Sequence, residues 1–309
     1  NDIQDALDNP ALDVVAFGPG LYVSQPVVLR RSNVTVLFQL STLLLAKRWA
    51  FNSTGASLFS IRGAKNVKFI GNGASLRMWR EDYNNPQWYK HGEWRMAVDV
   101  ADVENLLIYN VTLELSGGDG IYLGGDRNVG VTIQHVTSRN NYRQGISVIT
   151  AEHLLVEDCV FEGTNGTAPQ GGLDFEPDTP FQAITNTVFN RCVFRNNSGW
   201  QAYVSLHAYN ASSQPVNISM IACVFEGGRK MGSVYVGIAV YNISNAPSTG
   251  SVIFKGCSIL NSGAASSLGV FGKPVSHTLL IEDMTIVNNT AGQPPIIFNY
   301  GRVPAENLI

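Results

Sequence analysis

The 309 residues carry 21 Lys and Arg against 24 Asp and Glu, a formal net charge of −3, and only 15% of them are charged. That balance gives no basis for binding nucleic acid or an anionic membrane, and no apolar run approaches the roughly 20 residues of a membrane-spanning helix. Thirty glycines suit many short strands joined by tight turns.

Taken in order, residues 1–13 place Ile3, Ala6, Leu7, Ala11 and Leu12 at helical spacing. They predict a short amphipathic helix capping an open end of stacked strands. No signal peptide is visible, and Asn1 reads as the start of a mature sequence. Alternating strands are predicted at 14–17, 21–23, 27–29, 33–38, 57–61 and 66–70. Residues 78–95 break the pattern. Trp79, Tyr83, Trp88, Tyr89 and Trp94 lie among Arg80, Glu81, Asp82, Lys90, His91, Glu93 and Arg95 without a strand period. A long inserted loop is predicted there, and such loops are often functional.

From residue 105 the rhythm is regular. Ile108, Ile133, Val156, Phe189, Met220, Phe254 and Ile281 fall at equivalent places, 23 to 34 residues apart. Three phrases repeat one another: Gly118-Asp119-Gly120-Ile121-Tyr122-Leu123, Arg143-Gln144-Gly145-Ile146-Ser147-Val148 and Gly171-Gly172-Leu173-Asp174-Phe175-Glu176. Coils of near-constant length mark a solenoid. The expectation is an all-β, right-handed parallel β-helix with one domain over 1–309, the right hand being the usual one. Residues 301–309 read as a tail.

Cys159, Cys192, Cys223 and Cys257 occupy one repeat slot, shared with Val111, Val136 and Met284. Cysteine there acts as a small core hydrophobe, and stacked neighbours about 4.8 Å apart with parallel side chains are poorly placed to bridge. A buried thiol ladder is expected, neither disulfides nor zinc. Nine Asn-X-Ser/Thr sequons, at Asn33, Asn52, Asn110, Asn165, Asn196, Asn210, Asn217, Asn242 and Asn288, point to a secreted glycoprotein. Asparagine is also a turn residue, so a Thr-rich repeat produces such triplets on its own.

The opening, Gly20-Leu21-Tyr22 through Pro26-Val27-Val28-Leu29 and Ser32-Asn33-Val34-Thr35-Val36 to Leu43-Leu44-Leu45, resembles the N-terminal coils of pectin-lyase-like right-handed parallel β-helix proteins, polygalacturonase relatives included. The resemblance spans nearly the whole chain. It implies the fold, whereas that superfamily holds hydrolases, lyases, epimerases, tailspikes and adhesins. Polygalacturonases carry Asn-Thr-Asp, Asp-Asp, Gly-His-Gly and Arg-Ile-Lys motifs. Here only Asp119 after Gly118 and Arg143-Gln144-Gly145 come near them, with Gln144 in place of the histidine. The Asp-Pro-His of alginate epimerases is absent.

Aligning Ile121, Ile146, Leu173, Val204 and Ile238 as inward residues predicts an outward column of Asp99, Tyr122, Ser147, Asp174, Ser205 and Ala239. A second column holds Gly124, Ile149, Glu176, His207 and Tyr241. Asp174 and Glu176 then share a face, about 6–7 Å apart at Cα, with His207 one rung from Glu176. Two carboxylates on one face suit an acid and a base for glycosidic cleavage, although outward faces of solenoids are polar in any case. Asp119 is either catalytic or a turn residue. Arg143 could hold an acidic or sulfated sugar, with Gln144 and Tyr122 beside it, and Trp88 and Trp94 could stack on sugar faces. His135 and His153 fall in the other strand set.

The reading is therefore an extracellular glycoside hydrolase acting on a polysaccharide or oligosaccharide. Asp174 and Glu176 form its acid/base pair, supported by Asp119 and His207, and no cofactor or metal is needed. Two alternatives stand beside it. One is a lyase or C5-epimerase on a uronic acid polymer, in which Asp119, Asp174 and Glu176 would bind Ca²⁺. The other is a non-catalytic adhesion or assembly protein, and an oligomer is possible in every case.

Overall fold

Period-two alternation becomes short strands whose inward residues are buried: Val34–Phe38 and Thr42–Ala46 both alternate buried and half-buried positions. The computed structural model describes residues 2–227, 234–237, 248–262, 267–271, 277–287 and 296–299. Sequons Asn242 and Asn288, and the segment 301–309, lie outside the described residues. The strands pair in parallel, coil upon coil. Ile108 lies beside Ile133, and the column continues through Val156, Phe189, Met220, Phe254 and Ile281 in the expected order. A second parallel sheet of ten strands includes Val27–Leu29, Phe59–Arg62, Val98–Ala101, Ile121–Gly124, Gln144–Val148, Gly171–Phe175 and Ala202–Ser205. This second sheet carries the candidate site. The architecture is a parallel β-helix.

Two ladders fill the interior. Phe161, Phe194 and Phe225 stack ring on ring, with centroids 5.2 and 5.3 Å apart. Cys159, Cys192, Cys223 and Cys257 are buried free thiols, donating to carbonyls such as those of Ile133, Val156, Phe189 and Met220. Bonding to the Cys192 thiol and burial push Cys223 up to about 12, so its sulfur stays protonated and inert.

The corners need left-handed backbone, which favours asparagine and glycine. Asn33, Asn66 and Asn105 take φ of 58°, 54° and 58°. They link side chain to side chain, Asn105 donating to Asn66 and Asn66 to Asn33, each at 2.8 Å. The sequon residues Asn110 and Asn196 also sit at left-handed corners, so asparagine has a backbone reason at three of the seven described sites.

The helix Asp2–Asp8 covers the first coil. Its Gln4 amide donates to the Val28 carbonyl and accepts from the Val28 N–H, both at 2.8 Å, standing in for a preceding strand. The otherwise open edge of the site sheet is thereby closed.

Two registers depart from the expectation, the later one being Val204, which pairs with Val236 and not with Ile238. In the earlier one, Leu173 pairs with Ala202, not Val204, so Asp174 lies beside Tyr203, and Ser205 moves out of the Asp174 column. Ala202, Val204 and Leu206 are all buried and apolar. Alternation alone therefore fits either register, and the two differ by one full period. The choice is made by Gln201, which is locked to Asn197 by bonds of 2.7 and 3.1 Å while its carbonyl accepts from the Leu173 N–H.

Candidate active site

The glycines of the three repeated phrases form a column, Gly120, Gly145 and Gly172. None has a positive φ, and their value is close approach. A Cβ on Gly145 would meet the Gly172 carbonyl at 2.5 Å, one on Gly172 would meet the Gln201 carbonyl at 2.6 Å, and one on Gly120 would strike the Ser138 hydroxyl. Without side chains there, the strand entries fold in tightly. That brings Asp119 and Arg143 to the same edge of the face.

Arg143 is the centre of what gathers. Its side chain is 15% exposed, with Nη1 3.5 Å from Asp119 Oδ2, Nη2 3.7 Å from Glu176 Oε2 and Nε 3.6 Å from Glu93 Oε2. Burial pulls the guanidinium down, but Asp119, Asp174, Glu176 and Glu93 outweigh it and hold it above its ordinary value. One cation thus faces four carboxyl groups. Like charges 4 Å apart repel by about 4 kcal/mol at an effective dielectric of about 20, so crowding adds to burial in favouring a neutral Asp174.

Asp119 and Asp174 are the buried members. Asp119 accepts from the Ser147 hydroxyl at 2.8 Å, and its Oδ1 has no partner. Burial raises its carboxyl to about 6, against the pull of Arg143 and the Ser147 bond. Asp174 accepts from Gln144 Nε2 at 2.8 Å, and its Oδ1 is likewise unpartnered. Burial, then the charge of Glu176, raises Asp174 well above the carboxylate range. Glu176 and Glu93 are the accessible members, their side chains 30% and 32% exposed.

The other expected site residues spread around this centre. Gln144 is fully buried and bridges Asp174 to the Gly171 N–H, so it holds the site from behind. Tyr122 is one rung from Ser147, its ring lying where a Gly124 side chain would be. Its hydroxyl is raised by burial and by Asp178 and Asp119. Asp99, next in the column, is neutralised by Arg62 and bonded to Ser60. His207 is not one rung from Glu176. The two-residue register shift carries it beyond the strand, where it is exposed and its Nδ1 lies 2.5 Å from Ser205 Oγ. His135 and His153 are exposed left-handed corner residues of the other sheet.

Loop 78–95 divides into an inner and an outer half. Tyr83, Tyr89 and Arg95 are buried. Arg95 donates to the carbonyls of Phe51 and Lys90, both at 2.9 Å, and lies over the rings of Tyr83 and Tyr89. An Arg95–Gly117 bridge pins the loop to the entry of the Asp119 phrase. Trp88 and Trp94 stay about half exposed. Trp88 packs on Trp49, itself stacked on Tyr89, whereas Trp94 adjoins Glu93 in the chain. Glu93, which sequence reasoning did not assign, brings the loop into the cluster and also accepts from Thr167 at 3.3 Å. Its only signal was a carboxylate set among aromatic residues.

Among the described residues, no group of three or more His, Cys, Asp or Glu side chains is arranged to hold a metal ion. Arg143 itself stands between Asp119, Glu176 and Glu93. No helix among them is long and apolar enough to cross a membrane.

A family model described as "Right handed beta helix region" matches residues 83–248. The SPbeta prophage-derived uncharacterized protein YorA of Bacillus subtilis (strain 168) is 25% identical over 257 residues, 76% of this chain. The chain spans only 39% of that relative's length. Among solved structures, a 1,3-α-1,4-β-D-galactose-4-sulfate-3,6-anhydro-D-galactose-2-sulfate 4 galactohydrolase superposes with a TM-score of 0.68 at 12% identity, over 98% of this chain and 86% of its own. Tailspike gp49 of Acinetobacter baumannii bacteriophage Fri1, a capsular polysaccharide depolymerase, gives 0.53 at 12% identity, over 97% and 58%. At such identities the likeness is one of fold.

Proposed function

The chain belongs to the right-handed β-helix family, and on that premise we propose that it hydrolyses a glycosidic bond of a polysaccharide at the Arg143 cluster. One observation carries the reading: two part-exposed carboxylates, Glu176 and Glu93, flank a single guanidinium, with the Asp174 carboxyl raised by burial and then by the charge of Glu176. Paired carboxyl groups held in different environments are what acid/base cleavage of a glycoside requires. By their names, the depolymerase among the structural neighbours acts on a capsular polysaccharide and the galactohydrolase on sulfated galactose units, which supports the substrate class.

In this reading Asp174, whose carboxyl is raised by burial and by the charge of Glu176, is the reservoir of the proton that Glu176 passes on. Glu176, the exposed partner, delivers it to the glycosidic oxygen as the bond to the anomeric carbon breaks. Glu93 takes a proton from the water whose oxygen bonds to that carbon. Asp119 and Gln144 maintain the charge and position of the pair, while Tyr122 and Trp94 offer surfaces for the sugar. His207 serves at most the edge of the groove. The exposed sequons Asn52, Asn165 and Asn217 support an extracellular location for the activity.

The test is release of reducing ends from a panel of polysaccharides by wild type, Glu176→Gln and Glu93→Gln. New reducing ends without an ultraviolet-absorbing product are expected, falling roughly 10²–10⁴-fold in either variant. An unsaturated product would show a lyase instead, and cleavage indifferent to both substitutions would remove the site.

A further inference from the structure

The charge arrangement around Arg143 restricts what sugar fits there. An arginine on a glycan-binding face is ordinarily read as a handle for a carboxylate or sulfate. Here Nε, Nη1 and Nη2 each already face a carboxylate of the protein, Glu93, Asp119 and Glu176. The groups nearest solvent are Glu93 and Glu176, both acidic, while the guanidinium lies recessed between them at 15% exposure. On the same face the side chain of Arg62 is tied to Asp99. Asp178 adds a further negative charge close enough to act on Tyr122.

An incoming anionic group would have to pass between two carboxylates to reach a cation they already neutralise. A hydroxyl meets the opposite situation, because carboxylates accept hydrogen bonds and an uncharged ring donates them. Repulsive groups around a site are a standard means of rejecting the wrong ligand. We infer that the sugar bound over Arg143 carries neither carboxylate nor sulfate, so the substrate is a neutral or amino-sugar polymer at that position. Arg143 is then a positioning residue that holds Glu93, Asp119 and Glu176 together. The inference rests on the Arg143 cluster being the glycan site, and it separates this chain from the galactohydrolase neighbour, whose name specifies sulfated sugars.

Affinity electrophoresis at low salt through gels containing dextran, dextran sulfate or polygalacturonate tests it without requiring turnover. Wild type is expected to run in both polyanion gels as it does in a blank gel. Glu93→Gln/Glu176→Gln, with Arg143 unmasked, is expected to be retarded by the polyanions with at least about tenfold tighter apparent binding, and further replacement of Arg143→Gln should abolish the gain. Retardation of wild type by either polyanion, lost in Arg143→Gln, would overturn the inference, and this arm holds even if the double variant folds poorly. A folded double variant that ignores both polyanions would overturn it too. A protein that excludes polyanions yet releases no reducing ends from any polymer would sink the hydrolase reading alone.

Discussion

The larger sheet and the Arg143 cluster treat charge in opposite ways. On the larger sheet, cations and carboxylates of neighbouring rungs pair closely: Arg195 with Glu162 at 2.7 Å, Arg127 with Glu152 at 2.6 Å, Lys255 with Glu282 at 3.0 Å, and Glu114 between Arg77 and Arg139 at 2.7 Å each. On the smaller sheet one recessed arginine faces three carboxylates at 3.5–3.7 Å, and two buried carboxyl oxygens have no partner. The first arrangement satisfies every charge it uses, while the second keeps its charges in conflict. Conflict of this kind persists where function requires it, which is why the cluster, and not the better-formed ladder, is the candidate site.

The sharpest way to break the contrast is to remove the shared cation. Arg143→Gln leaves buried carboxyls without compensation and should lower stability at pH 7 by about 3–5 kcal/mol, read from urea unfolding. The loss should shrink at pH 5, where Asp119 holds its proton. An unchanged midpoint would mean the carboxyls are already neutral without Arg143.

Asp119 gives the next largest effect, and its sign is opposite to that of an ordinary ion pair. A carboxyl raised to about 6 on folding contributes stability that is present below its unfolded value near 4 and lost as pH climbs through 6. About two pKa units correspond to about 3 kcal/mol. Asp119→Asn should flatten this slope and exceed wild type at pH 8. A variant less stable than wild type at every pH would make Asp119 a structural residue.

Gly145→Ala should cost about 1–3 kcal/mol by overpacking, because its methyl group meets the Gly172 carbonyl. On the paired sheet, Arg195→Ala should cost less than about 1 kcal/mol. A larger loss there would mean the ladder is also under strain.

The fold was legible because every coil repeats the same physical demand. Ile108 through Ile281 form one column at the expected places, and cysteine was read correctly because Val and Met share its slot. Register was legible only to within one period, as Ala202 and Val204 satisfy the inward position equally well. His207 was misplaced for that reason. Strand phase put Asp174 and Glu176 on one face, whereas Asp119 was left between a catalytic and a turn role. Two features escaped: Glu93, on a loop without period, and the masking of Arg143, which depends on distances that spacing does not encode.

Glu176→Gln, followed for both polysaccharide cleavage and urea midpoint at pH 7 in the same preparation, tests the central claim most directly. The account predicts that cleavage falls by at least about 10² while the midpoint stays at or above that of wild type, since removing one charge relieves Asp174. A lowered midpoint with cleavage intact would contradict it and make the cluster another structural ion-pair network.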